Sequence, residues 1–424
     1  MLNERKTEAY CAILAEELRL ATGCTEPIAV AYCAAKLREV LGGKPEKVLA
    51  EISGNILKNV KSVVVPNTGG RRGIEAAIAV GIVAGDPEAE LQVLAKVTEE
   101  DTEHIQGYLD STDITVTCPE TPCMLDIRLT GWLGGHKAVT RVANNHTNLV
   151  YIEKDGQVLL EKPESASAEA NLQDKSVLNV KDILTFIETV PIERIRPHIS
   201  RQLQCNSAIA AEGLRGDWGA NIGSVMLGAY GDDVKVRACA CAAAASDARM
   251  SGCELPVVIN SGSGNQGITV SVPLIVYARE LGSSDEQLYR ALVLSNLVAI
   301  HQKTGIGRLS AFCGAVCAGA AAGAGIAYLD GGGYKEACHA VVNALSIVAG
   351  MVCDGAKPSC AGKIAFSVNA GILGYVMYRD GQQFYGGDGI VKKGVENTID
   401  SIARLGRDGM RATNDEIIRI MLGS

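Results

Sequence analysis

Cys313, Cys353 and Cys360 are the residues of this sequence best suited to chemistry. Forty residues separate the first from the second, and seven the second from the third. They sit in small-residue settings, Ser310-Ala311-Phe312-Cys313-Gly314 and Gly350-Met351-Val352-Cys353-Asp354-Gly355-Ala356-Lys357-Pro358-Ser359-Cys360. Soft thiolates select iron–sulfur clusters or zinc, and glycine neighbours let the backbone close around a bulky group. A closed structural site uses four protein ligands, whereas three leave a position open for substrate. The set therefore implies a catalytic cluster rather than an electron carrier. Three small core residues are the competing account, since free cysteine is often buried.

Cys24 stands apart, in Gly23-Cys24-Thr25-Glu26-Pro27. A thiol just ahead of a helix faces the positive end of the helix dipole, which is expected to lower its pKa. It would then serve as base, nucleophile or temporary fourth ligand, with a buried structural thiol as the alternative. Ser261, Gly262, Ser263 and Gly264 begin a Gly-rich loop after the apolar run Leu255–Ile259. Its amides could hold an anion. It lacks the Walker lysine and the full dinucleotide fingerprint, so an amino-acid carboxylate fits better than a nucleotide. Asn67, Thr68 and Gly69 precede Arg71 and Arg72 at a helix start and could hold a carboxylate in the same way. His146 and Asn148 are two residues apart, which on a strand puts both on one face. A tight turn, a plain helix start and a structural histidine are the bland readings of these three motifs. The remaining cysteines, Cys317 among them, read as structural thiols.

The elements that must position these residues divide the chain in two. Helical periodicity covers residues 4–20, and a helix is expected from Pro27 to Gly42. Val48–Ile52 and Ser62–Val65 read as strands, with helices over Arg72–Val83 and Glu88–Leu109. From Ile114 to Leu160 short alternating runs predict an antiparallel meander, with His146 and Asn148 in it. Lys162–Asp174, rich in Ser, Ala and Glu, reads as an exposed linker. Beyond 176 nearly everything is helical. The fold class is α+β: an N-terminal α+β part with an antiparallel sheet (residues 1–170), followed by an all-helical Ala/Gly-rich domain (171–424).

Composition narrows the function. A chain of 424 residues is long enough for two or three domains with a sizeable core. Net charge is −8 without a basic block, which argues against nucleic acid and anionic membrane as partners. Only 4% of residues are aromatic while 47 are glycine, so helices can approach closely. The polar first ten residues lack an export signal, and fourteen cysteines then suit a reducing, cytoplasmic setting. Ala311–Leu329 is uncharged, but its Ala/Gly content favours a buried helix over a membrane span. Homo-oligomerisation stays open.

Together these segments resemble the L-cysteine desulfidase family, related to the iron–sulfur L-serine dehydratases. The resemblance is carried by residues 23–27, 66–69, 146–148, 261–267, 308–314 and 351–360, in one order along the chain. It implies a 4Fe–4S cluster on Cys313, Cys353 and Cys360, with Cys24 beside its open iron as base or displaceable ligand. The reaction implied is β-elimination of L-cysteine to pyruvate, sulfide and ammonia, without pyridoxal phosphate, for which no lysine motif is evident. L-serine dehydration on the same cluster is the nearest alternative. A non-enzymatic metal or redox-sensing protein is the alternative of another class.

Overall fold

An N-terminal α+β region is followed by a helical region, the fold class expected, although the second part is not all-helical, because Pro256–Val258 is a strand. The structure is a computed structural model and describes residues 2–162, 173–307 and 309–423. The expected linker therefore falls largely outside the described residues, as does Arg308. The N-terminal part comprises α1 (Glu4–Glu17), β1 (Leu20–Thr22), α2 (Thr25–Leu41), β2 (Lys47–Ile52), α3 (Gly54–Val60), α4 (Gly73–Ala84) and α5 (Glu99–Ser111). There follow β3 (Asp113–Thr117), β4 (Asp126–Leu133), β5 (His136–Ala143), β6 (Leu149–Lys154) and β7 (Gln157–Glu161). The helical part begins with α6 (Val180–Thr189), α7 (Ile192–Arg215), α8 (Ile222–Tyr230), α9 (Val234–Met250), β8 (Pro256–Val258) and α10 (Gly264–Leu281). It ends with α11 (Asp285–Ile306), α12 (Gly314–Leu329), α13 (Tyr334–Val348), α14 (Cys360–Arg379), α15 (Val395–Arg404) and α16 (Arg411–Leu422).

Six strands form one sheet in the order β3-β2-β4-β5-β6-β7. Strands β4 to β7 are the expected antiparallel meander. Its first member is not: β3 leaves the meander and pairs parallel with β2, across a crossover containing α3, α4 and α5. Two other expectations are corrected. Residues 62–65 form no strand, only a bridge between Val64 and Arg72, and the segment before them is helix α3. Ile56 and Val60, four apart and both fully buried, carry that helix. The helix expected over 88–109 is broken. A short 3₁₀ turn occupies Glu90–Gln92, and α5 starts afresh where the Asp101 carboxylate accepts from the Thr98 amide at 2.9 Å.

Two features place the site. Strand β1 pairs antiparallel with β8, Leu20 opposite Val258, and so lays the chain ahead of Cys24 beside the chain ahead of the 261–264 loop. Helices α12 and α14 meet at glycines: a Cβ on Gly371 would stand 2.1 Å from the Gly319 carbonyl oxygen. This contact aligns the helices that begin at Cys313 and Cys360. Helix α14 is long and apolar enough to cross a membrane by length and composition. It packs against α9, α12 and α13, as a core helix does. Helix α12, the uncharged segment noted above, is buried along almost its whole length.

Candidate active site

The thiols separated in sequence are joined by backbone pairing. Phe312 and Val352 form an antiparallel bridge; the Cys313 amide donates to the Met351 carbonyl at 3.1 Å, and the Cys353 amide to the Ala311 carbonyl at 2.6 Å. Cys360 returns to the same place through a tight loop. Gly355 has φ +94°, and a Cβ there would lie 2.2 Å from the Lys58 carbonyl oxygen. Only glycine lets the loop press this closely onto α3. Cys24 completes the group: with Val63 and Met250 it forms a small apolar cluster that also touches Ala356 and Cys360.

All four cysteines line one cavity of ≈ 110 Å³, room for a small molecule only. Four helices start at its wall. Cys24 caps α2, Ser263 caps α10, Cys313 caps α12, and Cys360 is the first residue of α14. Their N-terminal dipole ends make the cavity electropositive. Lys58, Arg249, Lys303 and Lys363 add cationic side chains, against one carboxylate, Glu26, among the described lining residues.

Burial sets the protonation of the thiols. It pushes Cys24 up to about 12; Arg249 opposes this, while Glu26 and Cys360 add to it. The dipole was expected to make Cys24 a ready thiolate, and here desolvation outweighs it. Cys313 is likewise pushed to about 12 by burial and by the neighbouring Cys353 and Cys360. Cys360 is raised by burial, with Lys357 in opposition. Burial keeps the Cys313 and Cys360 thiols protonated unless added positive charge takes the place of their protons. Among the described residues no three or more His, Cys, Asp or Glu side chains close around a single metal ion. The residues that could hold a larger, iron–sulfur group are Cys313, Cys353 and Cys360.

Glu26 escaped the sequence reading although it lies inside the Cys24 motif. Burial would raise its pKa, but facing His146, its backbone amide and Arg249 hold it down at about 2. Asn59 donates to Glu26 Oε1 at 3.0 Å and Thr25 to Oε2 at 3.1 Å, while His146 Nε2 stands 3.8 Å away, an electrostatic contact rather than a hydrogen bond. Lys58 was also missed. Burial lowers its pKa, and its amine donates to Asn414 Oδ1 at 2.8 Å and to the Cys353 carbonyl at 3.4 Å. Lys363 donates to the Val352 carbonyl at 2.8 Å and pairs with Asp354. Lysines and arginines scattered over 300 residues carry no spacing signal, so only the fold could assemble them.

The polar motifs part company at this point. Ser263 lines the cavity together with Asn265 and Gln266. Ser261, Gly262 and Gly264 do not, and they shape the loop instead: Ser261 has φ +50°, the Gly262 carbonyl accepts from Thr25 at 3.0 Å, and Gly264 makes room for Arg249. Asn67, Thr68 and Gly69 are also outside the lining; Asn67 donates to the Leu94 carbonyl at 2.7 Å and Thr68 to that of Val65 at 2.7 Å. Their turn is nevertheless pressed against the Cys24 motif, because a Cβ on Gly23 would overlap Pro66. His146 and Asn148 sit in the turn between β5 and β6 rather than on a strand, so they share no strand face. Asn148 closes that turn on the Ala143 carbonyl at 2.9 Å, and His146 reaches the cavity only through Glu26.

A small electropositive cavity with four thiols at its wall, enclosed by closely packed helices, suits a small polar ligand. Residues 88–419 match the family model described as serine dehydratase alpha chain, and this chain belongs to that family. It is 57% identical to a UPF0597 protein of Desulfitobacterium hafniense over 419 residues, covering 99% of this chain and 97% of the relative. A UPF0597 protein of Treponema denticola is 49% identical, with 99% of each chain covered. One from Bacteroides fragilis is 38% identical, again over 99% of each. The family makes the chain a lyase of the serine dehydratase type.

Proposed function

We propose that the chain catalyses β-elimination of L-cysteine, giving pyruvate, sulfide and ammonia, at a 4Fe–4S cluster held by Cys313, Cys353 and Cys360. The observation that carries this reading is the convergence of those three thiols with Cys24 on one cavity. The donor set fits the group: sulfur ligands, cationic neighbours for a thiolate-rich anion, and glycines that leave room. When bound, the cluster supplies an electrophilic iron at its open position, to grip the substrate and polarise it.

The chain's own residues bind and steer the amino acid. Asn59, Arg249 and Gln266 line the cavity, and Asn59 Oδ1, Arg249 Nε and Gln266 Oε1 are buried without hydrogen-bond partners. Such groups are costly unless a ligand satisfies them, and together they offer acceptors for an ammonium and a donor for a carboxylate. Cys24 is the proton-handling group. Its thiol is neutral in the ligand-free cavity, so acting as a base requires ionisation, for which Arg249 is the compensating cation. Loss of the α-proton and of sulfide leaves aminoacrylate, which tautomerises to the imine; water then releases pyruvate and ammonia. The fourteen free cysteines suit a cytoplasmic setting for this chemistry.

L-serine is the second reading, favoured by the family. Hydroxide departs only with a proton, and the neutral Cys24 thiol is a proton source in the cavity. Anaerobic iron reconstitution, followed by parallel assays of pyruvate from L-cysteine and L-serine and of sulfide from L-cysteine, tests both. A higher kcat/KM for L-cysteine is the expected result. A preference for L-serine reverses the substrate assignment, and no product from either removes the reaction.

A further inference from the structure

A second, larger cavity of ≈ 700 Å³ lies between the start of α3, the 118–124 loop and α16. It shares Leu309 and Ser310 with the cysteine-lined cavity, so one strip of chain separates the two. The wall is crossed again by the hydrogen bond from Lys58, which lines the first cavity, to Asn414, which lines the second.

Four groups lining the larger cavity, Asn55, Glu120, Arg411 and Asp415, have polar atoms that the fold leaves unpaired. Asn55 is 8% exposed, and its Oδ1 is buried without a hydrogen-bond partner. A buried amide oxygen without a donor calls for a ligand that brings one. Arg411 and Asp415 are four apart on α16, the spacing at which opposite charges pair across a helical turn. Both line the cavity, yet neither forms a hydrogen bond or ion pair among the described residues. Exposed charges alone would be a solvated rim. Beside the buried Asn55, and with Glu120 on the 118–124 loop, they form an unfilled set: one cation, two carboxylates and one neutral acceptor.

We propose that this cavity is a second binding site, for a free zwitterionic α-amino acid, from which substrate passes to the cysteine-lined cavity. The carboxylate pairs with Arg411, and the ammonium with Asp415 and Asn55 Oδ1. The proposal rests on reading the chain as an amino-acid lyase. Two opposite charges held apart select a zwitterion over a simple carboxylate, which can satisfy only one of them.

Equilibrium dialysis of the iron-reconstituted full chain with labelled L-alanine, a zwitterion without a leaving group, tests it. Two molecules per chain are expected for the unmodified protein and one for the Arg411→Gln/Asp415→Asn double variant. One molecule in the unmodified protein, or two in the variant, overturns the proposal. Propionate should displace alanine from the larger site at least about tenfold less well than L-serine does, the worth of one charge-assisted contact; equal displacement refutes the zwitterion assignment. Both substituted residues are exposed on the last helix, and a thermal melt verifies folding. Binding is read without turnover, so a chain that makes no pyruvate would contradict the proposed reaction and leave this result standing.

Discussion

Cys353 is tied to Ala311: its backbone amide donates to that residue's carbonyl at 2.6 Å, two residues before Cys313. Main-chain pairing, rather than a side-chain contact, thus brings Cys313 and Cys353 together. Replacing Cys313, Cys353 or Cys360 singly by alanine should leave the fold intact and abolish the brown chromophore and bound iron after reconstitution. Iron content and visible absorbance check this. A Cys353→Ala protein with a full complement of iron would remove that residue from the ligand set.

Gly355 turns the chain between two of those thiols at a φ of +94°, with the Lys58 carbonyl 2.2 Å from where a Cβ would sit. Gly355→Ala should cost at least about 1–2 kcal/mol from left-handed backbone strain alone, and the clash adds to it. Lower urea midpoints and reduced iron uptake are expected together. An unchanged midpoint would show that the loop has another way to turn.

The convergence of Cys313, Cys353 and Cys360 on one cavity was expected from their small-residue settings read together with the resemblance. So were the meander and the Ala/Gly helices, whose periodicities are strong. What stayed hidden depends on long-range pairing. The β1–β8 ladder brings Cys24 beside Ser263 through strands of three residues each, too short to leave a pattern. Lys58, Arg249 and Lys363 meet only in three dimensions. His146 and Asn148 were placed on a strand directly after the expected Asn144-Asn145 break, but that turn, with Asn144 at φ +66°, runs on through both of them before β6 begins. The expected thiolate at Cys24 failed because sequence shows a helix start but not its burial.

Glu396 gives the fold an acid limit. Its side chain joins α15 to α11 through His301 Nε2 at 2.6 Å and accepts from the Val180 amide at 2.8 Å. Burial favours the neutral acid, but these two partners prevail and hold its pKa below the usual carboxylate value. The unfolded chain therefore takes up this proton first. The stabilisation is complete above the unfolded value, about 4.3, and is lost as pH falls through the lower folded value. Glu396→Gln should be less stable than the unmodified protein at pH 6 and lose less stability between pH 5 and 3. Urea unfolding across that range checks the sign, and parallel pH curves would contradict it.

Cys24 separates holding a cluster from using it. It lines the cavity beside Cys360 but belongs to α2, at the other end of the sequence from the three-thiol loops. Cys24→Ala should therefore retain iron and colour while losing elimination activity, by a factor of about 10² to 10⁴ if it handles the proton. Alanine also removes packing against Val63 and Met250, so Cys24→Ser is the needed partner, since it keeps the size and changes the acidity. The serine variant should melt and bind iron like the unmodified protein and still turn over at least about 100-fold more slowly. Recovery of full activity in Cys24→Ser would assign the residue to packing. A loss of iron in both variants would instead make Cys24 a fourth ligand, held in place until substrate displaces it.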